Sequence, residues 1–485
     1  MTSLIDRMAG VAQGHSLLGQ GCAPDALAAA EAVLAGLPEC VEAMILRAAA
    51  LKAQGRYAEA AIGFQSALLR EPMRPAVRVS LGNTLAELGR LPEAETALRR
   101  ALALQPRLAA AHASLITVCA MMNRDDLTLA ACLAALAVDP EAVNAHQHLA
   151  DLRARAGDHA EARRHREAAY RRTSWFVEKS IGPAPTVLVL LTTENGNVPL
   201  KYLLSHDRYR VIRWMIEYAT PEQEAQLPPY DFVFNAIGEP ELPASTLSVI
   251  ERFHAGCSKP FLNTPQRVAR TRRALLPDLL AGLDDVVVPQ VWRWQAGEPL
   301  PPCDGPALVR PVGSHGGEGL EYVATQIELE AAAEIHPACD ITRFHDYASP
   351  DRLFRKYRVM FIDRRPYAYH LAISDRWLVH YVTADMLYHP ARRAEEARFL
   401  NDPMGVLGAK AWAALTGIAG RLDLDYAGID FSLLPDGRVL VFEANATMVV
   451  HPENPVSVLR YKNAAVQNIL TAFDQMAGIV EETTE

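Results

Sequence analysis

A 34-residue period in the first 180 residues constrains the fold of this chain more than any other feature of the sequence. The period is carried by glycines, prolines and alanines. The recurring residues are Gly21, Gly55, Gly89 and Gly157; Pro38, Pro72, Pro106 and Pro140; and Ala26, Ala60, Ala94 and Ala162. Asn123 stands at the one position of the glycine series that lacks glycine, and Thr128 stands at the one position of the alanine series that lacks alanine. Such a period predicts an array of repeated supersecondary units.

Each recurring residue has a physical role in a pair of helices. Glycine or asparagine can adopt the left-handed conformation that ends the first helix. A small alanine lets two helices approach closely, and proline cannot continue the second helix. The pattern defines five units, at about 7–40, 41–74, 75–108, 109–142 and 143–176.

These units resemble the tetratricopeptide repeat, and Gly55-Arg56-Tyr57 followed by Ala60 matches it best. The resemblance implies an all-α solenoid domain over residues 1–180. Stacked repeats form a concave surface, which usually binds a peptide or protein. Self-association into a homodimer is the alternative role of this domain.

Composition excludes several other classes of protein. The 485-residue chain has a formal net charge of -9, which argues against a general nucleic-acid binder. None of its seven cysteines forms a Cys-x-x-Cys pair, so reduced thiols are favoured over a zinc site or disulfides. The first residues lack the apolar core of a signal peptide, and no apolar run approaches the ~20 residues of a membrane helix. We therefore expect a cytoplasmic protein without a membrane partner.

The alanine-rich helical pattern stops at Lys179, and residues 180–185 have the composition of a linker. Predicted strands at 186–191, 211–212 and 231–237 then alternate with predicted helices at 243–256 and 265–282. This alternation predicts an α/β domain with a parallel sheet at 185–285. Longer, hairpin-like strands at 307–312, 357–363 and 367–374 predict an α+β region at 286–485. The chain is thus predicted to be multidomain.

A strand runs into a glycine-rich loop at 310–319. The loop begins after Arg310 and Pro311 and contains Gly313, Ser314, His315, Gly316, Gly317 and Gly319. Glycines let backbone amides converge on phosphate oxygens without side-chain clashes. A flexible hairpin tip has the same composition, so this loop alone does not identify a phosphate site.

Two later apolar strands carry Asp430, Glu443 and Asn445. Asp436-Gly437 between them is a favoured two-residue hairpin turn, which would place Asp430 opposite Glu443. Asn445 follows on the same face, since side chains two residues apart point the same way. Three hard oxygen ligands on one face suit Mg²⁺, whereas the simpler alternative is a pair of edge-strand carboxylates facing water. Because both strands are otherwise apolar, we interpret the set as a magnesium site.

A third cluster, Arg355-Lys356-Tyr357-Arg358, lies in another predicted strand. Alternation puts Lys356 and Arg358 on one face, where they could neutralise a triphosphate or an acyl phosphate. A solvated strand face is the alternative interpretation.

A strand with a glycine-rich loop, followed by a strand pair bearing Asp…Glu-x-Asn, is similar to the ATP-grasp superfamily, which includes D-alanine–D-alanine ligase and glutathione synthetase. The segments PYDFVFNAIGEPE and LNTPQRVARTRR extend the resemblance over residues 185–475. It implies that ATP lies between two lobes, with ITRFHDY at 341–347 as the hinge beside adenine. Phe344 and Tyr347 in that hinge would then contact the nucleotide.

The same resemblance assigns roles to the polar clusters. Asp430, Glu443 and Asn445 would hold Mg²⁺, the glycine-rich loop would cover the phosphates, and Arg358 matches a position that often contacts phosphate or substrate. Lys356 and Arg310 would complete the catalytic cations. The family usually has Lys-Pro before the loop, and Arg310 replaces that lysine here; a guanidinium can still bind phosphate.

The resemblance implies an ATP-dependent carboxylate–amine ligase that works through an acyl phosphate. The substrates would be a small-molecule amine or carboxylate and a peptide, protein or amino acid presented by the repeats. A nucleotide-binding scaffold without ligase turnover is the alternative, and a kinase with a stable phosphorylated product is a third.

Overall fold

The computed structural model describes residues 4–178, 180, 184–193, 196–312, 317 and 319–478. The chain forms two compact units. The first consists of residues 1–184, 206–208 and 218–227, and the second of residues 185–205, 209–217 and 228–485.

The first unit is built from successive helical hairpins. In its described part the paired helices are α1 (Leu4–Gly19) with α2 (Ala23–Gly36), α3 (Val41–Ala53) with α4 (Tyr57–Arg70), α5 (Pro75–Glu87) with α6 (Leu91–Leu104), α7 (Ala109–Met121) with α8 (Asp125–Val138), and α9 (Val143–Arg155) with α10 (His159–Tyr170). A short strand β1 (Trp175–Val177) and helix α11 (Pro221–Glu224) also belong to this unit. The five pairs follow the predicted 34-residue units, so the helical solenoid is confirmed.

The recurring residues occupy the positions that the sequence predicts. The residues between the two helices of a pair have positive φ: Gly21 (83°), Gly55 (74°), Gly89 (73°), Asn123 (53°) and Gly157 (79°). The periodic alanines are fully buried, and Thr128 takes the equivalent buried place. Each periodic proline follows a second helix by two residues, as Pro72 does after Arg70. Local chemistry therefore accounts for where these helices end.

Gly82 shows how closely the helices of a pair approach. A Cβ atom added there would lie 2.7 Å from Leu98 Cγ and 3.3 Å from the Ala94 carbonyl oxygen. We expect Gly82→Ala to lower the free energy of unfolding by about 1–3 kcal/mol, because overpacking outweighs the gain in helix propensity. Denaturation of the full chain followed by circular dichroism measures the change. Gly19→Ala is the matched control, since a Cβ atom added at Gly19 would meet no atom within 4 Å.

The second unit begins with a parallel sheet. Its strands β2 (Thr186–Leu191), β3 (Arg210–Met215), β4 (Phe232–Asn235) and β5 (Phe261–Leu262) lie in the order β3-β2-β4-β5, and α12 (Ala244–Gly256) connects the last two. The alternation of strands and helices thus correctly predicts an α/β layer.

The predicted helix at 265–282 is wrong. The structure has α13 (Pro265–Ala269), a 3₁₀ turn and then α14 (Leu276–Leu279). Pro277 lacks an N–H and fits only the first turn of a helix, so a new helix must start beside it. The interruption places Arg272 and Arg273 in the connection, where the candidate site uses them.

An antiparallel sheet follows, with strands β7 (Val291–Gln295), β8 (Ala307–Pro311), β9 (Glu321–Val323) and β10 (Ala338–Arg343) in the order β7-β10-β8-β9. Helix α15 (Gln326–Ile335) covers it, burying Leu329 and Ala333 against Val309. A capping box at Thr325 and Glu328 starts this helix.

A second mostly antiparallel sheet completes the unit. Its strands are β6 (Val286–Val287), β11 (Phe354–Ile362), β12 (Arg365–Ser374), β13 (Tyr426–Leu433) and β14 (Val439–Asn445), in the order β12-β11-β13-β14-β6. The helices after β12 are α16 (Pro390–Asn401), α17 (Pro403–Leu407), α18 (Ala409–Leu422) and α19 (Asn463–Met476). One face of the sheet packs on α16 and α18, and the other packs in part on α19 and the parallel sheet. The residues of that second face that neither α19 nor the parallel sheet covers belong to the candidate site.

In the described part of the chain, every helix is too short or too polar to cross a membrane.

Candidate functional site

A cleft lies between the two antiparallel sheets of the second unit. The chain passes from one sheet to the other directly after Arg343, where β10 ends. Phe344 and Tyr347 in this connection line the cleft, together with Val291, Leu308 and Phe442. The segment 341–347, predicted as the hinge, thus ends β10 and begins the connection between the sheets. Phe344 and Tyr347 make this end of the cleft aromatic, with Arg343 and His345 beside them.

Aromatic side chains pack against one another at this end of the cleft. Phe344 lies edge-on to Tyr322 of β9, with ring centroids 5.1 Å apart, and to Trp377 in the loop after β12, at 5.8 Å. The Tyr347 hydroxyl donates a hydrogen bond to the Trp377 carbonyl oxygen. Both sheets and the connection between them therefore contribute to one aromatic cluster.

The other end of the cleft is cationic. Among the described residues, three elements supply basic side chains there: Arg273 from the 3₁₀ turn before α14, Arg310 from β8, and Lys356 and Arg358 from β11. Asp340, Asp430 and Glu443 line the same region. The predicted cluster of Lys356 and Arg358 does share one strand face, and the fold brings Arg310 to it from the other sheet.

Asp430 is held by two of these cations. Its carboxylate accepts hydrogen bonds from Arg358 Nε at 2.6 Å and Arg358 Nη2 at 2.9 Å, and Lys356 Nζ lies 3.0 Å away. Its side chain is only 2% exposed. Burial alone would raise the pKa of Asp430, but the charges of Arg358 and Lys356 hold the pKa well below its usual range. The carboxylate is therefore ionised and neutralised within the protein.

Glu443 lies opposite Asp430 in the hairpin of β13 and β14, and Asn445 pairs with Gly428 on the same face. The predicted two-residue turn is wrong. Leu434 and Arg438 close a three-residue loop in which Gly437 has φ 82°. This loop shifts the pairing by one residue, and a bulge after Asp430 shifts it back, so Asp430 and Glu443 still face each other.

The three predicted metal ligands differ in their present partners. Glu443 is more open than Asp430, with a side chain 30% exposed and Arg273 Nη2 3.3 Å from Oε2. Asn445 Oδ1 accepts hydrogen bonds from Thr447. Among the described residues no three His, Cys, Asp or Glu side chains are grouped to hold a metal ion. The oxygen donors suit Mg²⁺ chemically, but Asp430 would have to exchange its cations for the metal.

Arg310 differs from the other cations. Across the described ranges, no residue forms a hydrogen bond or ion pair with its guanidinium group. Burial and the neighbouring charge of Arg273 lower the pKa of Arg310, while Glu443 and Asp340 counteract this. A partly buried cation that lines a cleft without a direct ion pair attracts an anionic ligand.

The glycine-rich loop follows Arg310 directly. Gly317 and Gly319 have φ of 85° and 65°, which favour glycine, and a Cβ at Gly319 would lie 2.9 Å from Pro311 Cγ. Gly317 lines the cleft. The other predicted loop residues, Gly313, Ser314, His315 and Gly316, lie outside the described residues.

A smaller cleft adjoins the cationic end and shares Arg273, Asp340 and Glu443 with it. Arg272 lines this second cleft and donates from Nε to the Pro240 carbonyl oxygen at 3.0 Å. In the described part of the chain, its terminal nitrogens have no acceptor. Sequence reasoning missed Arg272 and Arg273, although the run Arg270-Thr271-Arg272-Arg273 is visible in a segment already matched to the ATP-grasp pattern.

His370 of β12 lies opposite Arg358 and is buried, and its Nε2 has no hydrogen-bond partner among the described residues. Desolvation, and then the charge of Arg358, hold the pKa of His370 well below 6.5. The ring is therefore neutral at pH 7, and its environment disfavours protonation.

We expect acidification to destabilise the protein through His370. A folded-state pKa below the unfolded value means that the unfolded chain binds the proton first, so stability is lost as pH falls below about 6.5. From pH 7.5 to 5.5 this group accounts for a loss of about 1.4 kcal/mol. Denaturation of wild type and His370→Gln at both pH values measures it. An equal loss in both proteins would contradict the prediction, and exposed His389→Gln is the control.

Comparisons with known proteins address the first unit. A family profile of the tetratricopeptide repeat matches residues 11–75 and 64–109. Together with the helical hairpins, this match identifies the N-terminal region as tetratricopeptide repeats, which generally mediate protein–protein interaction. No curated protein matches the sequence of the chain.

Several solved structures align with about a third of the chain. MamA (residue 41 to the end) from Desulfovibrio magneticus RS-1 is 23% identical over 33% of this chain and 90% of its own, with a TM-score of 0.31. PilF of Pseudomonas aeruginosa is 20% identical over 34% of this chain and 75% of its own, with a TM-score of 0.32. A thermophilic tetratricopeptide repeat protein of Thermus thermophilus is 23% identical over 34% of this chain and 90% of its own, with a TM-score of 0.30.

Proposed function

We propose that this protein is an ATP-dependent carboxylate–amine ligase of the ATP-grasp type. The proposal is carried by the cleft between two antiparallel sheets, which has apolar and aromatic side chains beside Phe344 and a group of cations around Arg310. An apolar end accommodates a base, and a cluster of cations neutralises a polyphosphate. The adjacent glycine-rich loop supports the same interpretation.

In the proposed reaction, a carboxylate oxygen of the acid substrate attacks the γ-phosphorus of ATP, the bond to the bridging oxygen breaks, and ADP leaves. An amine then attacks the acyl carbon, phosphate leaves, and the amine loses its proton. Phosphoryl transfer needs mainly positioning and charge neutralisation, which Arg310, Lys356 and Arg358 would supply. Mg²⁺ bound by Asp430, Glu443 and Asn445 would add to that neutralisation.

The adjoining cleft supports a position for the acid substrate. Arg272 offers unpaired guanidinium nitrogens there, as far as the described residues extend, and the cleft opens beside the residues proposed to bind phosphate. A carboxylate held at this position would lie close to the reacting end of the nucleotide. The repeats would present a peptide or protein substrate, since surfaces of this kind bind extended chains.

We expect Glu443→Gln to lower magnesium-dependent ADP formation by at least about 100-fold, because it removes the most accessible carboxylate beside the cations. ADP release, measured across a panel of amino acids and peptides with mass spectrometry of the products, provides the assay. Glu330→Gln, on the exposed face of α15, is the matched control. Undiminished ADP formation in Glu443→Gln would contradict the proposed metal site.

A nucleotide-binding scaffold is the second candidate, favoured by the complete neutralisation of Asp430 by Arg358 and Lys356. Such a protein would bind a nucleotide and release no ADP with any carboxylate. Trapping with hydroxylamine separates the ligase from a kinase, because only an acyl phosphate yields a hydroxamate.

The role of the repeats is tested by removing residues 1–180. If they present the substrate, the shortened protein should retain ADP formation with small acids and lose it with the native substrate. Full activity on the native substrate would refute substrate presentation.

A further inference from the structure

Asp430 is the one buried carboxylate in the cationic end that contacts two cations at once, as judged from the described residues. Arg358 binds both of its oxygens side-on, and Lys356 adds a third contact to Oδ2. A carboxylate has about four lone-pair sites, so three of them are already used. Lys356, Arg358 and Asp430 together therefore carry a net charge of +1, whereas the two cations alone would carry +2.

This ion pair opposes each ligand when that ligand binds alone. A metal ion that approaches Asp430 meets Lys356 and Arg358 in the positions it would occupy. A polyphosphate that approaches the two cations meets the negative charge of Asp430, 3.0 Å from Lys356 Nζ. Together, the metal ion can take the carboxylate while the polyphosphate takes the cations, so that no buried charge remains unpaired.

The other charged groups of the cleft lack this arrangement. Among the described residues Arg310 forms no direct ion pair, and Glu443 forms one with Arg273 alone, at 3.3 Å. Arg310 and Glu443 are thus available for first contacts, whereas Lys356, Arg358 and Asp430 become available only by exchange.

We infer that Asp430 acts as an exchangeable counter-ion of Lys356 and Arg358, so that a divalent cation and a polyphosphate bind to the cleft cooperatively. The inference rests on the proposed nucleotide site and adds that the metal ion and the polyphosphate each favour binding of the other. It assigns to Asp430 a role in the metal-free protein that a simple metal ligand lacks.

The test is calorimetric titration of the full-length protein with the non-hydrolysable ATP analogue AMPPNP, in EDTA and in Mg²⁺. We expect Asp430→Asn to bind metal-free AMPPNP at least about tenfold more tightly than wild type, because a full negative charge beside the cations is removed. The gain in affinity on adding Mg²⁺ should shrink in the same variant. Unchanged or weaker metal-free binding by folded Asp430→Asn overturns the inference.

Two further variants and the wild-type titration keep the outcome unambiguous. Asp425→Asn removes another buried carboxylate, paired with Arg364 at 2.7 Å and absent from the lining of the cleft, and should leave AMPPNP binding unchanged. Glu443→Gln should lose the magnesium-dependent gain, because its carboxylate is one of the proposed metal ligands. If wild type binds no AMPPNP even with Mg²⁺, the proposed function fails, which is distinct from failure of the exchange.

Folding of Asp430→Asn is checked by thermal unfolding with inorganic tripolyphosphate. The variant lacks the carboxylate that neutralises Lys356 and Arg358. Tripolyphosphate in EDTA should therefore raise the midpoint temperature of unfolding more for the variant than for wild type. An equal or smaller rise counts against the inference.

Discussion

Replacing Arg310 with methionine is expected to lower ADP formation by about 10²–10³-fold, the cost of removing one preorganised charge donor from a transition state. Arg310 lines the cationic end of the cleft, is partly buried, and forms no hydrogen bond or ion pair among the described residues, although Glu443 and Asp340 favour its charged form. Within the described part of the chain, its guanidinium group therefore makes no direct polar contact that the variant would break. Methionine retains most of the length of the side chain, so the loss is assigned to the charge. Initial rates of ADP release at saturating Mg²⁺ measure the effect.

Arg310→Lys is the informative companion variant. The ATP-grasp pattern usually has lysine at this position. The rate of ADP formation by the lysine variant should therefore stay within about tenfold of the wild-type rate, because lysine keeps the positive charge and loses only the two-pronged hydrogen bonding of the guanidinium group. Methionine and lysine variants of equal activity would show that Arg310 does not act on the phosphates. A second control is Arg267→Met, which removes an arginine paired with Asp423 at 2.9 Å and absent from the cleft lining.

Asn263→Ala is expected to lower the free energy of unfolding by about 3–5 kcal/mol, because it leaves buried backbone groups unsatisfied. The Asn263 side chain accepts hydrogen bonds from the backbone N–H groups of Asp425 and Tyr426 and donates to the Tyr426 carbonyl oxygen. It is fully buried, and its φ of 56° disfavours alanine further. These contacts join the end of the parallel sheet to the start of β13, the strand that carries Asp430.

Two variants separate the causes of that loss. Asn263→Gly relieves the backbone conformation and removes the side-chain contacts, so it should cost somewhat less than alanine. Asn263→Asp retains the acceptor and loses the donor. Chemical denaturation of the full chain supplies the free energies, and a cost below about 1 kcal/mol for alanine would mean that water replaces these contacts.

The two local predictions about the candidate site had different outcomes. The pairing of Asp430 with Glu443 is right, although its premise, a two-residue turn, is wrong. The three-residue loop and the bulge shift the register in opposite directions, and alternating apolar residues do not report either shift. The helical stretch predicted at 265–282 is interrupted, because Pro277 cannot lie in the interior of a helix.

Other features of the site depend on contacts between distant segments. Arg273 and Asp340 are separated in sequence from Lys356, Arg358, Asp430 and Glu443. Asp340 was not predicted from the sequence. It lies opposite Arg310 because its strand, β10, pairs with β8. Only that pairing reveals that these two residues, distant in sequence, face one cleft.

The sequence by itself determined the helical array, because its signals are local: a residue able to adopt positive φ ends one helix, a small residue permits close packing, and a proline ends the next helix. It also determined which strands carry the polar residues. The tertiary structure alone decided that Arg273, Arg310, Lys356 and Arg358 meet at one end of a cleft and that Asp430 is neutralised there. The free energy of such contacts depends on distance in space and on desolvation, and neither quantity is encoded in the spacing of residues along the chain.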